Sequence, residues 1–146
     1  MNISLTKEQL ASLVKLAYLG NRMANDWRTE DVIEEYDEVE SLVLEAAQKH
    51  GLGDYVEFDE ETGKAVPSAE LEEKMAETVE FYNDNSFWDQ LIYRMADRDY
   101  VRKFGEEALS ELYTEKGMER ERPLIEKYEK EFNDNGLDRI EVRRDN

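Results

Sequence analysis

Cysteine is absent from the 146 residues, and histidine occurs once, as His50. Without cysteine there is no disulfide, no thiolate metal site and no thiol nucleophile. With one histidine, a serine triad or a histidine metal cluster lacks most of its parts. Beside Gly51, at what reads as a helix end, His50 is expected to be a capping or exposed residue. No glycine-rich phosphate loop, His-Glu-x-x-His or Gly-x-Ser-x-Gly pattern occurs. Long apolar runs are missing too. Leu10 to Leu19 is the most apolar stretch, is broken by Lys15, and falls far short of the ~20 residues that cross a bilayer. The first residues, Met1-Asn2-Ile3-Ser4-Leu5, lack the basic flank and apolar run of a secretory signal. These absences lead to the expectation of a cytoplasmic protein with no membrane partner and no cofactor.

What the chain does have pulls in two directions. Charged residues make up 38% of it and the net charge is −18, a balance that favours disorder, whereas 40% hydrophobic residues favour a core. Periodicity decides between them. Thr6-Lys7-Glu8-Gln9 has the form of a capping box. Behind it, Leu10, Leu13, Val14 and Ala17 share one helical face, and Leu16, Leu19, Met23 and Trp27 a neighbouring one. An apolar arc this wide predicts a central helix contacted from more than one side. A second helix is expected from Thr29, through Val32, Tyr36, Val39, Val43 and Ala46, to a stop at Gly51.

Tyr55-Val56-Glu57-Phe58 and Lys64-Ala65-Val66 read as two strands around a turn, with Gly63 supplying a positive φ. Ser68 then starts a third helix carrying Leu71, Met75, Val79 and Tyr82. The Asn83-Asp84-Asn85-Ser86 cluster reads as a turn, followed by a fourth helix from Trp88 to Phe104. A fifth is expected around Leu109, Leu112 and Tyr113, ending at Gly117. A sixth is expected from Pro123 in its first turn to a stop at Asn135-Gly136. Ile140 and Val142 alternate with charged residues, as in a short closing strand. The fold class is therefore mainly α. The expected form is one domain over 1–146, a bundle of five to six helices with a small β-hairpin at about 55–66 and a short C-terminal strand.

Few constellations carry chemistry. Counted as a calcium loop, Asp59 to Glu70 places Asp59, Glu61 and Glu70 correctly, but Lys64 stands where the sharp turn needs glycine and Pro67 lies inside, so the hairpin reading prevails. Glu35/Glu38 resembles the first of two Glu-x-x-Glu/Asp pairs with which the all-α nucleoside triphosphate pyrophosphatases hold magnesium. The later pair Glu77/Glu80 follows at a longer interval than that family keeps. The resemblance implies, as the alternative, a magnesium-dependent phosphohydrolase of a nucleotide-like substrate. On the first helix, Asn21, Arg22, Asn25 and Arg28 bring polar groups into an apolar seam, where each must find a partner: a small ligand or partner protein, or solvent if the helix emerges into it after Gly20. Arg94, Arg98 and Arg102 recur at i, i+4 and i+8 as a basic stripe. These seven are the candidate partner-binding residues.

Charge distribution is the strongest clue. Residues 1–29 carry +2, residues 30–89 carry −17 and residues 90–146 carry −3. Such a field disfavours nucleic acid and anionic membrane. It favours a non-enzymatic interaction protein whose acidic surface meets a basic protein, or the arginine stripe of a second copy. Like charges this concentrated repel across solvent, and salt screens them, with a Debye length of roughly 8 Å at 0.15 M. The melting temperature at pH 7 is therefore expected to rise between roughly 10 and 300 mM sodium chloride. A flat or falling curve would mean that the acids are already matched.

Overall fold

A computed structural model describes residues 3–141. Helices α1 (Lys7–Asn25) and α2 (Glu34–Lys49) come first, then strands β1 (Val56–Phe58) and β2 (Ala65–Pro67), then helices α3 (Ala69–Phe104) and α4 (Glu115–Asn135). Single 3-10 segments precede β1 (Gly53–Tyr55) and α4 (Glu106–Glu111). The protein is mainly helical with one small antiparallel hairpin. Packing divides it into two compact units, Met1–Phe81 and Tyr82–Asn146, with the boundary inside α3.

In the first unit α1 begins as its sequence signals. The Thr6 hydroxyl accepts the Gln9 N–H at 3.2 Å and the Gln9 side chain accepts the Thr6 N–H at 2.9 Å. The helix α2 starts five residues after Thr29, at Glu34. Its N-terminus is organised by Asn25 from the preceding helix, which accepts the Ile33 N–H at 2.9 Å and donates to the Ile33 carbonyl at 3.2 Å. Glu34, Glu35 and Asp37 occupy its first turn, where the helix dipole favours negative charge. It stops at Gly51, whose φ of +77° is open to glycine without strain.

The hairpin pairs Val56 with Pro67, Glu57 with Val66 and Phe58 with Ala65. Asp59 holds its turn by accepting the Thr62 N–H and hydroxyl, both at 2.6 Å. That carboxylate is thus occupied by its own loop. Ser68 ties hairpin to helix, donating to the Asp54 carbonyl at 2.6 Å and accepting the Leu71 N–H at 3.2 Å. Val14, Tyr18, Leu44, Ala47, Val56, Ala65, Leu71 and Met75 form the core. A Leu buried as fully as Leu44 or Leu71 stabilises the fold by roughly 1.5–3 kcal/mol.

In the second unit the later part of α3 packs on α4. Ala96, Tyr128 and Phe132 are buried, with Trp88, Leu91, Ile92 and Met95 around them. Trp88 lies 5.9 Å from Phe132 and 5.0 Å, edge-on, from Phe87. Tyr100 is fully buried beside Phe104, and its hydroxyl has no hydrogen-bond partner among the described residues.

Three expected boundaries are corrected. No turn exists at Asn83–Ser86, because α3 contains neither glycine nor proline and each polar residue costs it only a few tenths of a kcal/mol. The cluster coincides instead with the boundary between units. The expected fifth helix is the 3-10 segment, and the sixth starts at Glu115, capped by Thr114, so that Pro123 is not in its first turn. Thr114 accepts the Gly117 N–H at 3.2 Å and donates to the Glu111 carbonyl at 2.6 Å. Pro123 therefore lies within α4, a position that normally costs about 3 kcal/mol. Of the closing strand, Val142 lies outside the described residues, and Ile140 and Glu141 are not in a strand.

Gly117 sits where the 3-10 segment meets α4. A Cβ there would strike the Glu111 carbonyl oxygen and stand 2.8 Å from the Leu112 Cα. Backbone on both sides has to move. Gly117→Ala is expected to lower stability by roughly 1–3 kcal/mol in urea denaturation. An unchanged midpoint would show that this junction is looser than its geometry.

Candidate functional site

In the first unit a cleft of about 340 Å³ opens between α1, α2 and the start of α3. Tyr18, Asn21, Arg22 and Asn25 enter it from α1, Asp37 and Glu40 from α2, and Glu72 from α3. The helical repeat explains this convergence: positions 18, 21, 22 and 25 lie on one face of α1, and 37 and 40 on the facing side of α2.

The polar groups are largely spent on one another. The Asn21 amide donates to Asp37 at 2.9 Å and to Glu40 at 2.7 Å. Its carbonyl accepts the Asn25 amide at 2.8 Å, and Asn25 in turn holds Ile33. Arg22 donates to the Tyr18 hydroxyl and pairs with Asp26 at 2.8 Å. The hydrogen bond to Tyr18, reinforced by the Asp26 charge, raises the Arg22 pKa above its ordinary value. Burial pushes the Glu40 carboxyl up; the Asn21 hydrogen bond opposes this, and the Asp37 charge adds to it. One Glu40 oxygen is buried without a partner among the described residues. The seam thus locks α1 to α2.

Of the seven candidate partner-binding residues, Asn21, Arg22 and Asn25 meet in this cleft. Arg28 does not line it, and instead holds Asp31 at 2.6 Å and the Ala24 carbonyl at 2.9 Å. Arg94, Arg98 and Arg102 lie in the second unit. There Arg98 contacts Asp99 at 2.9 Å and donates to the Tyr128 hydroxyl at 2.9 Å, and Arg102 lies 3.6 Å from Asp99. Lys127 reaches the same carboxylate at 3.0 Å, and Tyr128 donates to it as well. Burial alone would raise the Asp99 carboxyl, but the hydrogen bonds from Tyr128, Lys127 and Arg98 outweigh it and hold the carboxyl far below the usual range. Two of the three stripe arginines are thus engaged within the chain.

Among the described residues no three His, Asp or Glu side chains are grouped so as to hold a metal ion. Glu35, Glu38, Glu77 and Glu80 are not assembled into the magnesium site that the alternative requires. No helix among these residues is long and apolar enough to cross a membrane.

The chain matches no protein-family model, no curated protein and no solved structure. Its surface chemistry therefore has to carry the functional argument. The surface that stands out is one that spacing alone misplaced. Among the described residues of the first unit, no helix covers the second apolar face of α1. Leu19 packs against the core, but Leu16 is 66% exposed, Met23 64% and Trp27 95%. On α2, Leu42 is 64% and Val39 56% exposed. Between the two helices runs an open apolar groove of about 730 Å³, lined chiefly by Leu13, Leu16, Val39, Leu42, Val43 and Ala46. An adjoining apolar hollow of about 540 Å³ continues it along Gly20, Met23 and Tyr36. Folded chains rarely leave this much contiguous apolar surface in water unless something binds there. The sequence signal was present as a wide apolar arc, but it cannot distinguish a central helix from one whose second face awaits a partner.

Asn21→Ala would leave Asp37 and Glu40 without their shared donor. A loss of about 2 kcal/mol at pH 7 is expected in urea denaturation. The loss should shrink as pH falls. Glu40 is held above its unfolded value, so the folded state takes up the proton first and gains stability on acidification, and removing the Asn21 bond raises that carboxyl further. A variant as stable as the parent at every pH would show that the seam does not lock the helices.

Proposed function

We propose that this protein is a non-enzymatic interaction module, which binds a basic protein through the acidic first unit. The observation that carries this reading is the exposed apolar groove on α1 and α2, set in a unit of strong negative charge. Residues 1–81 hold seven basic against twenty acidic residues, a net of −13. An apolar centre with a charged surround is the anatomy of a protein-binding patch, in which burial supplies affinity and charge supplies rate and selectivity. Engagement of Arg98 and Arg102 by Asp99 weighs against the arginine stripe as the docking surface of a second copy. The magnesium phosphohydrolase remains the competing class, and the dispersed acid pairs weigh against it.

Two measurements separate the classes. A nucleotide hydrolysis screen with and without magnesium should show no turnover. Metal-dependent turnover lost in Glu35→Gln and Glu38→Gln would overturn the reading. Affinity capture from the source cells should recover a basic protein at low salt and release it at roughly 300 mM sodium chloride, where the Debye length is well under 8 Å. Leu42→Glu should abolish that capture.

A further inference from the structure

We infer that the α1/α2 groove takes an amphipathic helix with a basic flank, laid along it with its backbone close to Gly20. This rests on the reading of the first unit as an interaction module and names what occupies the groove.

Gly20 is the decisive residue. It lies well inside α1, where glycine costs about 1 kcal/mol relative to alanine. A glycine within a helix is usually explained by a positive φ or by a neighbour that a Cβ would strike. Gly20 has neither. Its φ is not positive, and a Cβ built there meets nothing within 4 Å. It is exposed and lines the apolar hollow. Nothing among the described residues uses the missing side chain, whereas a partner backbone seated in the groove would.

The shape of the groove selects a helix. Leu13, Leu16, Gly20 and Met23 follow one another along α1 at steps of 3, 4 and 3. Tyr36, Val39, Val43 and Ala46 repeat the same steps along α2. Two ridges with this spacing accept the i, i+3, i+4, i+7 side chains of a third helix, and a glycine between large residues lets the axes approach. From Leu13 to Met23 the wall is about 15 Å long, or three turns of a bound helix. Strand addition has no template, since β1 and β2 have three residues each.

Charge selects the flank. Glu35 precedes Val39 by four residues and Glu38 precedes Leu42 by four, so acids run along the outer edge of the α2 wall. Glu45, three residues after Leu42, is already paired, with Lys49 at 3.6 Å. Glu8 lines the groove, and no lysine or arginine does. A second copy would bring another chain of net −18 against this face, whereas a basic helix complements it.

The test uses the full chain and a fluorescent helical peptide of leucine and lysine, with leucines at i, i+3, i+4 and i+7. A control peptide of the same composition scatters its leucines around the helix. Anisotropy should show binding of the first peptide and weaker binding of the second. Gly20→Leu should weaken the first at least about tenfold and Gly20→Ala about threefold, as expected for a residue at an interface centre. Both variants should melt at or above the parent temperature, since helix propensity rises at an unobstructed site. Equal binding of the two peptides, unchanged by either variant, would overturn the groove while leaving an acidic protein-binding surface intact. Binding of neither peptide would overturn the inference, and capture of a basic protein by the unsubstituted chain would then decide separately whether the interaction module stands. A concentration-dependent dimer abolished by Gly20→Leu would make a second copy the occupant and overturn the basic helix.

Discussion

The pairing of α1 with α2 depends on two asparagines. Asn25 reaches from the last turn of one helix to the backbone of Ile33 and so defines where the next begins. Asn21, one turn earlier, splits its amide between Asp37 and Glu40. Each contact is an ordinary hydrogen bond with a modest net value. Their joint effect is larger, because leaving buried acceptors unmade costs roughly 1–3 kcal/mol each. A rotation of α2 about its own axis would strand both carboxylates. The asparagines therefore select one angular relation between the helices, in which Leu10, Val14, Leu44 and Ala47 go inside while Leu16, Val39 and Leu42 remain outside.

The treatment of charge differs between the units. Around Asp99, three cations and a tyrosine hydroxyl converge on one carboxylate. Its contribution to stability is present above the unfolded carboxylate value and persists until pH falls through the much lower folded one. Residues 82–146 carry twelve basic and seventeen acidic residues, so opposite charges lie within reach. Residues 1–81 lack that option. Of their seven cations three are committed locally, Arg22 to Asp26, Arg28 to Asp31 and Lys49 to Glu45, and twenty acids outnumber the seven. Exposed pairs of this kind contribute little. The acidic excess therefore stays on the surface as a field available to a partner.

Local chemistry made the ends of elements legible, while their interiors and partners were harder to read. The Thr6–Gln9 box and the glycines at 51, 63 and 136 each satisfy a requirement within a few residues, and each behaves accordingly. The start of α2 was misread because its organising residue is Asn25, eight positions before Ile33 and in another helix. Asn83–Ser86 looked like a turn because each residue weakly prefers one, yet weak preferences give way when the flanking segments are strongly helical. Pro123 suggested a helix start, but Thr114 caps its own third helical position and Glu111 lies 3.3 Å from Lys116 and 3.6 Å from Arg120. At the candidate site, Asn21, Arg22 and Asn25 were found as a cluster from spacing alone. Whether they faced a ligand or bonded within the fold depended on Asp37 and Glu40, a dozen or more residues away.

The wide apolar arc of α1 leads to the last step. A helix buried on two sides and a helix buried on one side with a docking face on the other share the same hydrophobic pattern, since both satisfy the same water-avoiding residues. What separates them is the cost each tolerates in isolation. A central helix gains from large side chains all round and has no use for an exposed glycine at mid-length. A docking face is different, because its walls have to stay fixed while empty and its middle has to remain low. The asparagine seam supplies the first property by holding α1 and α2 at one angle whether or not the groove is filled, so little ordering entropy remains to be lost on binding. Gly20 supplies the second at the expense of helix propensity. The seam and the glycine meet in one place, since Asn21 and Glu40 of the seam line the same hollow that Gly20 keeps low, so the walls are fixed where the floor is lowest.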